Sequence, residues 1–148
     1  MIRTSIVILS GVGLLATGAA AAGGRYAAAP IVIPLHMAHH SGQVGTATLI
    51  PTKGGFTVTI VLHGKDRFPG TDQPAHIHKV TCAQYAKITD VGKQYATVSY
   101  TLYSVISGKS VTPALTKLQP FLNGTYSINV HEESPPYTNT VCGDIPKR

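Results

Sequence analysis

Residues 74–82 read PAHIHKVTC and set two histidines, His76 and His78, two positions apart and four residues before a cysteine. On a β-strand, side chains two apart leave one face about 6.5–7 Å from each other, so both imidazoles can reach a single ion. A third histidine, His131, ends the alternating stretch TYSINVH at 125–131. There Tyr126, Ile128 and Val130 make one face and Ser127, Asn129 and His131 the other. Three neutral imidazoles with one coordination position open suit copper or zinc, and among divalent ions copper binds such nitrogen sites most tightly. An isolated His-x-His is more often an exposed polar pair, and periodicity alone does not bring His131 to the other two.

The lesser candidates are His36, Met37, His39 and His40 in the segment HMAHH, where thioether and imidazole together suit copper in either oxidation state, and His63 at a strand end. The plainer reading of all five is an exposed strand end or turn. Glu132, Glu133 and Asp144 are carboxylates placed where they could orient ligand imidazoles, although solvated loop carboxylates are commoner.

The two cysteines, Cys82 and Cys142, are the only ones in 148 residues. The first two dozen residues carry Arg3, an apolar run from Ile6 to Leu15 and a cluster of alanines with A-x-A sites. This pattern predicts a secretory signal over residues 1–22, cut within 19–24. The run is too short for a comfortable membrane span, which needs about 20 apolar residues, and no cysteine near the cut offers a lipid anchor. In an exported chain a cysteine pair reads as one disulfide, with a cysteine metal pair as the alternative. The bridge would close a loop of about 60 residues and restrict the unfolded chain by on the order of 4 kcal/mol. It would also hold the exits of the His78 and His131 strands near each other.

The elements that must position these groups read as strands. Charged residues are 12% of the chain, about half the usual share, and glycine, threonine and valine recur in short alternating runs. A strand at 31–37 is broken by Pro34, which predicts an edge strand. Further strands are expected at 44–50, 56–63, 75–80, 95–106, 111–118, 125–131 and 141–145, with no convincing helix. Seven or eight strands predict an all-β sandwich or Greek-key β-barrel. Residues 23–43 read as a lead-in with the edge strand, and 44–148 as one domain. The formal charge of +6 is spread over scattered lysines without a run, which argues against nucleic acid as a partner.

The series GTATLI, PAHIHKVTC, YSINVHEE and VCGDI resembles the copper,zinc superoxide dismutase superfamily, and is especially similar to its small exported offshoots with a PAHIH…C pattern. The resemblance covers roughly residues 44–145. It implies an eight-stranded Greek-key β-barrel with copper at one side, His76, His78 and His131 as copper ligands, and Cys82 bridged to Cys142. The chain departs from the family in two respects. No histidine lies between His78 and His131, so the bridging and zinc-site histidines have no counterparts and zinc is not expected. The family's active-site arginine, three residues before the terminal cysteine, is Asn139 here, which removes the positive group that guides superoxide.

The leading expectation is an exported copper-binding protein for storage, delivery or buffering, with binding that weakens as pH falls through about 6.5, where imidazoles protonate. The alternatives are a copper-only dismutase acting on superoxide outside the cytoplasm, and a metal-free interaction module like the chordin-like domains with similar HIH strands. Oligomeric state is not legible in the sequence.

Overall fold

A computed structural model describes residues 29–64, 71–132 and 137–148. The expected signal segment lies outside the described residues, as do Glu133 and most of the loop expected before Pro74. Eight strands are present: β1 (Ile31–Met37), β2 (Gln43–Thr52), β3 (Gly55–Gly64), β4 (Gln73–His78), β5 (Val98–Val105), β6 (Lys109–Ala114), β7 (Ser127–His131) and β8 (Asn139–Asp144). They lie side by side in the order β5-β4-β7-β8-β1-β2-β3-β6, every ladder antiparallel.

The two outer strands of that order meet through their own turn, where Ile106 bridges Lys109. The Tyr103 N–H also donates to Thr112 Oγ1 at 2.8 Å, so the sheet nearly closes into a barrel. β7 returns beside β4, giving the spatial order β7-β4-β5-β6 of a Greek key. The all-β barrel expected from alternation is the observed fold. In β3 the burial follows the period of two: Phe56, Val58, Ile60 and Leu62 are buried, while the residues between them are wetter. In β4 and β7, Ala75, Ile77, Ile128 and Val130 face the same core. That leaves His76 and His78 on the outer face.

Three expectations need correction. β1 is not an edge strand but lies between β2 and β8. Pairing with β8 begins only at His36↔Cys142, whereas Pro34 pairs with Thr46 of β2. One side of β1 is therefore unladdered at Pro34, which leaves a place for a residue without an N–H. It follows that β1 belongs to the barrel and is no mere lead-in.

The second correction concerns helices. α1 (Cys82–Tyr85) and α2 (Val91–Ala96) occupy the stretch between β4 and β5. Thr81 and Gln84 form a reciprocal capping box at α1, and Asp90 Oδ1 accepts from the Lys93 N–H at 2.8 Å at α2. These caps shorten the neighbouring strands: β4 ends at His78 instead of Val80, and β5 starts at Val98 because Tyr95 and Ala96 finish α2. Third, β6 stops at Ala114, four residues before the expected end.

Cys82 and Cys142 are bonded, with Cα atoms 5.8 Å apart across 60 residues, which settles the cysteine alternatives in favour of the disulfide. Next to it, Gly143 lets β8 approach β1 closely. A Cβ there would lie 2.5 Å from the Pro34 carbonyl oxygen and within 3 Å of the Leu35 and Ile33 side chains. Gly143→Ala should destabilise the fold by roughly 1–3 kcal/mol through overpacking, read as a lowered denaturation midpoint. An unchanged midpoint would show that β8 can move away from β1 at little cost.

Candidate metal centre

His76 pairs across the ladder with Asn129, and His78 with Ser127. His131 is thus a diagonal neighbour of His76, but on a regular sheet it would sit farther along from His78. Irregularities lie opposite two of the three histidines. The β4–β5 register shifts between Ile77 and His78, where β5 carries the extra residue Ser99, and the β7–β8 register shifts between Val130 and His131, where β8 carries the extra residue Thr140. Such bulges in the flanking strands increase the local twist of the sheet beside His78 and His131.

The result is one compact group. Ring centroids are 5.6 Å apart for His76–His78, 5.3 Å for His76–His131 and 5.6 Å for His78–His131. One nitrogen from each ring lies within 4.8 Å of the other two. Two nitrogens bound to one ion at 2.0–2.1 Å stand no more than about 4.2 Å apart, so small ring rotations close the group onto an ion. Among the described residues, three buried atoms, His76 Nδ1, His78 Nε2 and His131 Nε2, have no hydrogen-bond partner.

The remaining bonds fix which nitrogens carry protons. Thr97 Oγ1 donates its single hydrogen to the Gln94 carbonyl at 2.7 Å. It must therefore accept from His78 Nδ1, 2.8 Å away. His131 Nδ1 lies 3.2 Å from the Tyr137 carbonyl, which can only accept. Both rings thus hold a proton on Nδ1 and a lone pair on Nε2, the tautomer a metal ligand needs. Tyr137 has a φ of +54°, a costly backbone conformation for a bulky residue, and its carbonyl is the one that holds His131.

Burial keeps the cluster neutral. Desolvation, then the nearby His131 and His76, push His78 down to about 3. Desolvation, then His76, push His131 down to about 4, against the opposing pull of the Tyr137 carbonyl. Desolvation also lowers His76. Over the group lie Tyr85, its ring 4.7 Å from that of His78 and 6.0 Å from that of His131, and Tyr95, 6.5 Å from His76.

The sequence reading missed Thr97, Tyr137, Tyr85 and Tyr95, although the T-x-x-Q signature at Thr81–Gln84 could have placed a helix start over the site. It weighed an orienting role for Glu132, Glu133 and Asp144 against the commoner solvated case. Asp144 Oδ1 accepts from the Cys82 N–H at 2.6 Å, and the Glu132 N–H donates to the Thr138 carbonyl at 2.9 Å. Asn139 is buried, its amide 2.9 Å from that of Asn129.

The lesser candidates are not brought to the triad. The row His76–Asn129–Cys142–His36 crosses β4, β7, β8 and β1, which puts His36 three strands away, about 14 Å at the usual strand spacing. His36, Met37 and His39 line a separate cleft beside the disulfide, and the Met37 sulfur accepts from the Gly42 N–H at 3.3 Å. His40 and His63 are exposed.

The arrangement can hold a metal ion through three neutral nitrogens. Compared with protein-family models, with curated proteins and with solved structures, the chain matches none.

A histidine held neutral in the fold but free to protonate near 6.5 when unfolded makes the unfolded chain the stronger proton acceptor at mildly acidic pH. The metal-free protein should keep its full stability above about pH 6.5. It should lose about 1.4 kcal/mol per pH unit for each of His78 and His131 as pH falls towards about 4, where His131 titrates. Urea midpoints between pH 7.5 and 4.5 measure this, and a His78→Gln/His131→Gln variant should flatten the slope.

Proposed function

We propose that this chain is an exported copper-binding protein that stores, buffers or delivers the ion. The observation carrying this reading is the convergence of His76, His78 and His131, one nitrogen of each ring within 4.8 Å of the others, with His76 Nδ1, His78 Nε2 and His131 Nε2 buried and without a hydrogen-bond partner among the described residues. A structural histidine cluster would satisfy those nitrogens with hydrogen bonds, since each buried acceptor left unmade costs about 1–3 kcal/mol. An all-imidazole donor set favours copper over other divalent ions. The resemblance to the copper,zinc superoxide dismutase superfamily points the same way, because an eight-stranded Greek-key barrel with this ligand order is what it implies.

Export is supported by the disulfide, which persists in oxidising compartments, and by the signal-like start of the chain. No described helix is long and apolar enough to cross a membrane. Binding is favoured over dismutation because Asn139 stands where the resemblance places an arginine, and its amide is engaged with Asn129. The ion would be held by His76 Nδ1, His78 Nε2 and His131 Nε2, while Thr97 and Tyr137 keep the latter two rings turned towards it. When bound, copper would supply redox exchange and an open coordination position.

Calorimetric titration of the full chain with copper should give one ion per chain. His76→Ala/His78→Ala and His131→Ala should each weaken binding by at least on the order of a hundredfold. Burial lowers all three imidazoles, which revises the pH expectation: affinity should begin to fall below pH 6.5 rather than at it, and be lost by about 4, where His131 takes up its proton. Unchanged affinity in both variants would refute the reading. Copper-loaded protein should consume superoxide no faster than free copper at equal concentration; a much faster rate would favour the dismutase instead.

A further inference from the structure

The space at the histidine group is small and its walls are uncharged. Besides the three ligands, the lining comprises Pro74, Tyr85, Val91, Gln94, Tyr95, Val98 and Tyr137, and among the described residues it includes no lysine, arginine, aspartate or glutamate. The free volume is about 20 Å³, room for little more than one water-sized group. Tyr85, 3% exposed, does not supply a negative charge, since burial, then Tyr95, raise its hydroxyl to about 12.

Two consequences follow for an ion held there. Three neutral imidazoles leave the full ionic charge uncompensated, and the cost of moving an ion into a low-dielectric interior grows with the square of its charge. A doubly charged ion is penalised about four times as heavily as a singly charged one. The second consequence is geometric. Cupric copper favours a tetragonal arrangement of four or more donors in and about a plane, whereas softer cuprous copper accepts three. The three rings stand at nearly equal separations of 5.3–5.6 Å, a trigonal arrangement, whereas donors at three corners of a square leave one pair about 1.4 times as far apart as the other two.

We infer that the three-histidine site takes copper as the cuprous ion in preference to the cupric ion, with its open side sized for one small uncharged ligand. The inference rests on the copper reading above and deepens it by naming the oxidation state and the ligand class. Val91 gives a direct handle on the charge argument. It lines the pocket yet is 36% exposed, so Val91→Asp brings a carboxylate to the wall without burying it in the core.

The experiment measures both affinities on the full chain. Cuprous binding is read under argon by competition with bicinchoninate, and cupric binding by competition with a soluble chelator. Cuprous affinity should exceed cupric by on the order of a hundredfold or more. Carbon monoxide should add one molecule per bound cuprous ion, with a single infrared stretch. Val91→Asp should narrow the ratio by about tenfold, because a nearby negative charge favours the doubly charged ion more.

Cupric binding as tight as cuprous, with a tetragonal paramagnetic spectrum that ascorbate leaves unchanged, would overturn the inference while the copper reading stands. So would a ratio insensitive to Val91→Asp in a folded variant, or failure of carbon monoxide to bind. Binding of neither ion, or binding indifferent to His131→Ala, would instead overturn the copper reading itself.

Discussion

Three imidazole rings gathered at one spot, with one nitrogen of each within 4.8 Å of the other two, are the constraint around which this barrel is arranged. Gathering these nitrogens away from bulk water opposes folding, because a buried polar atom loses hydration that only a group held in the pocket can replace. The fold tolerates it because the outer face of β4 and β7 is otherwise well covered. Thr97 and Tyr137 tie down the far nitrogens of His78 and His131, and the aromatic rings of Tyr85 and Tyr95 pack over the group. A bound ion would turn the opposing term into a favourable one.

The cover is held by long-range links rather than by propensity. α1 and α2 are too short to persist alone, and each depends on a side-chain cap at its start. The disulfide pins the first residue of α1 to β8, and Asp144 adds a bond to the same residue's N–H. At the other end, the Thr97 hydroxyl connects the end of α2 to His78. The segment over the ligands is therefore anchored at both ends, once covalently and once through a ligand itself. Behind the ligands, Ser127, Asn129 and Asn139 form a buried polar row whose amides and hydroxyl bond to one another, a stiff floor for the histidines.

Much of this was legible in the chain. Alternation in β3, β4 and β7 identified core faces and put His76 and His78 outward, and the placement of the cysteines anticipated the bridge. Two things were hidden. The pairing of β4 with β7 that brings the three rings together joins residues far apart in the chain, and nothing in the local composition announces that register or the extra residues of β5 and β8 opposite His78 and His131. For the orienting groups the chain offered only loop carboxylates, which are more often solvated than engaged with a ligand. The fold uses a hydroxyl and a backbone carbonyl, and the latter is available only because Tyr137 adopts a left-handed conformation that its residue type does not advertise. Pro34 misled for a related reason: a proline reports that one side of a strand lacks a ladder at that residue, not that the whole strand is at an edge.

The central claim, that three specific nitrogens converge on one ion, is tested most directly by long-range proton–nitrogen correlation spectra of the histidine rings before and after one equivalent of diamagnetic cuprous ion. The account predicts that His76 Nδ1, His78 Nε2 and His131 Nε2 shift together as one ion binds, while the Nδ1 protons of His78 and His131 remain in place. Shifts confined to the exposed histidines of HMAHH, with the three barrel rings unchanged, would contradict it.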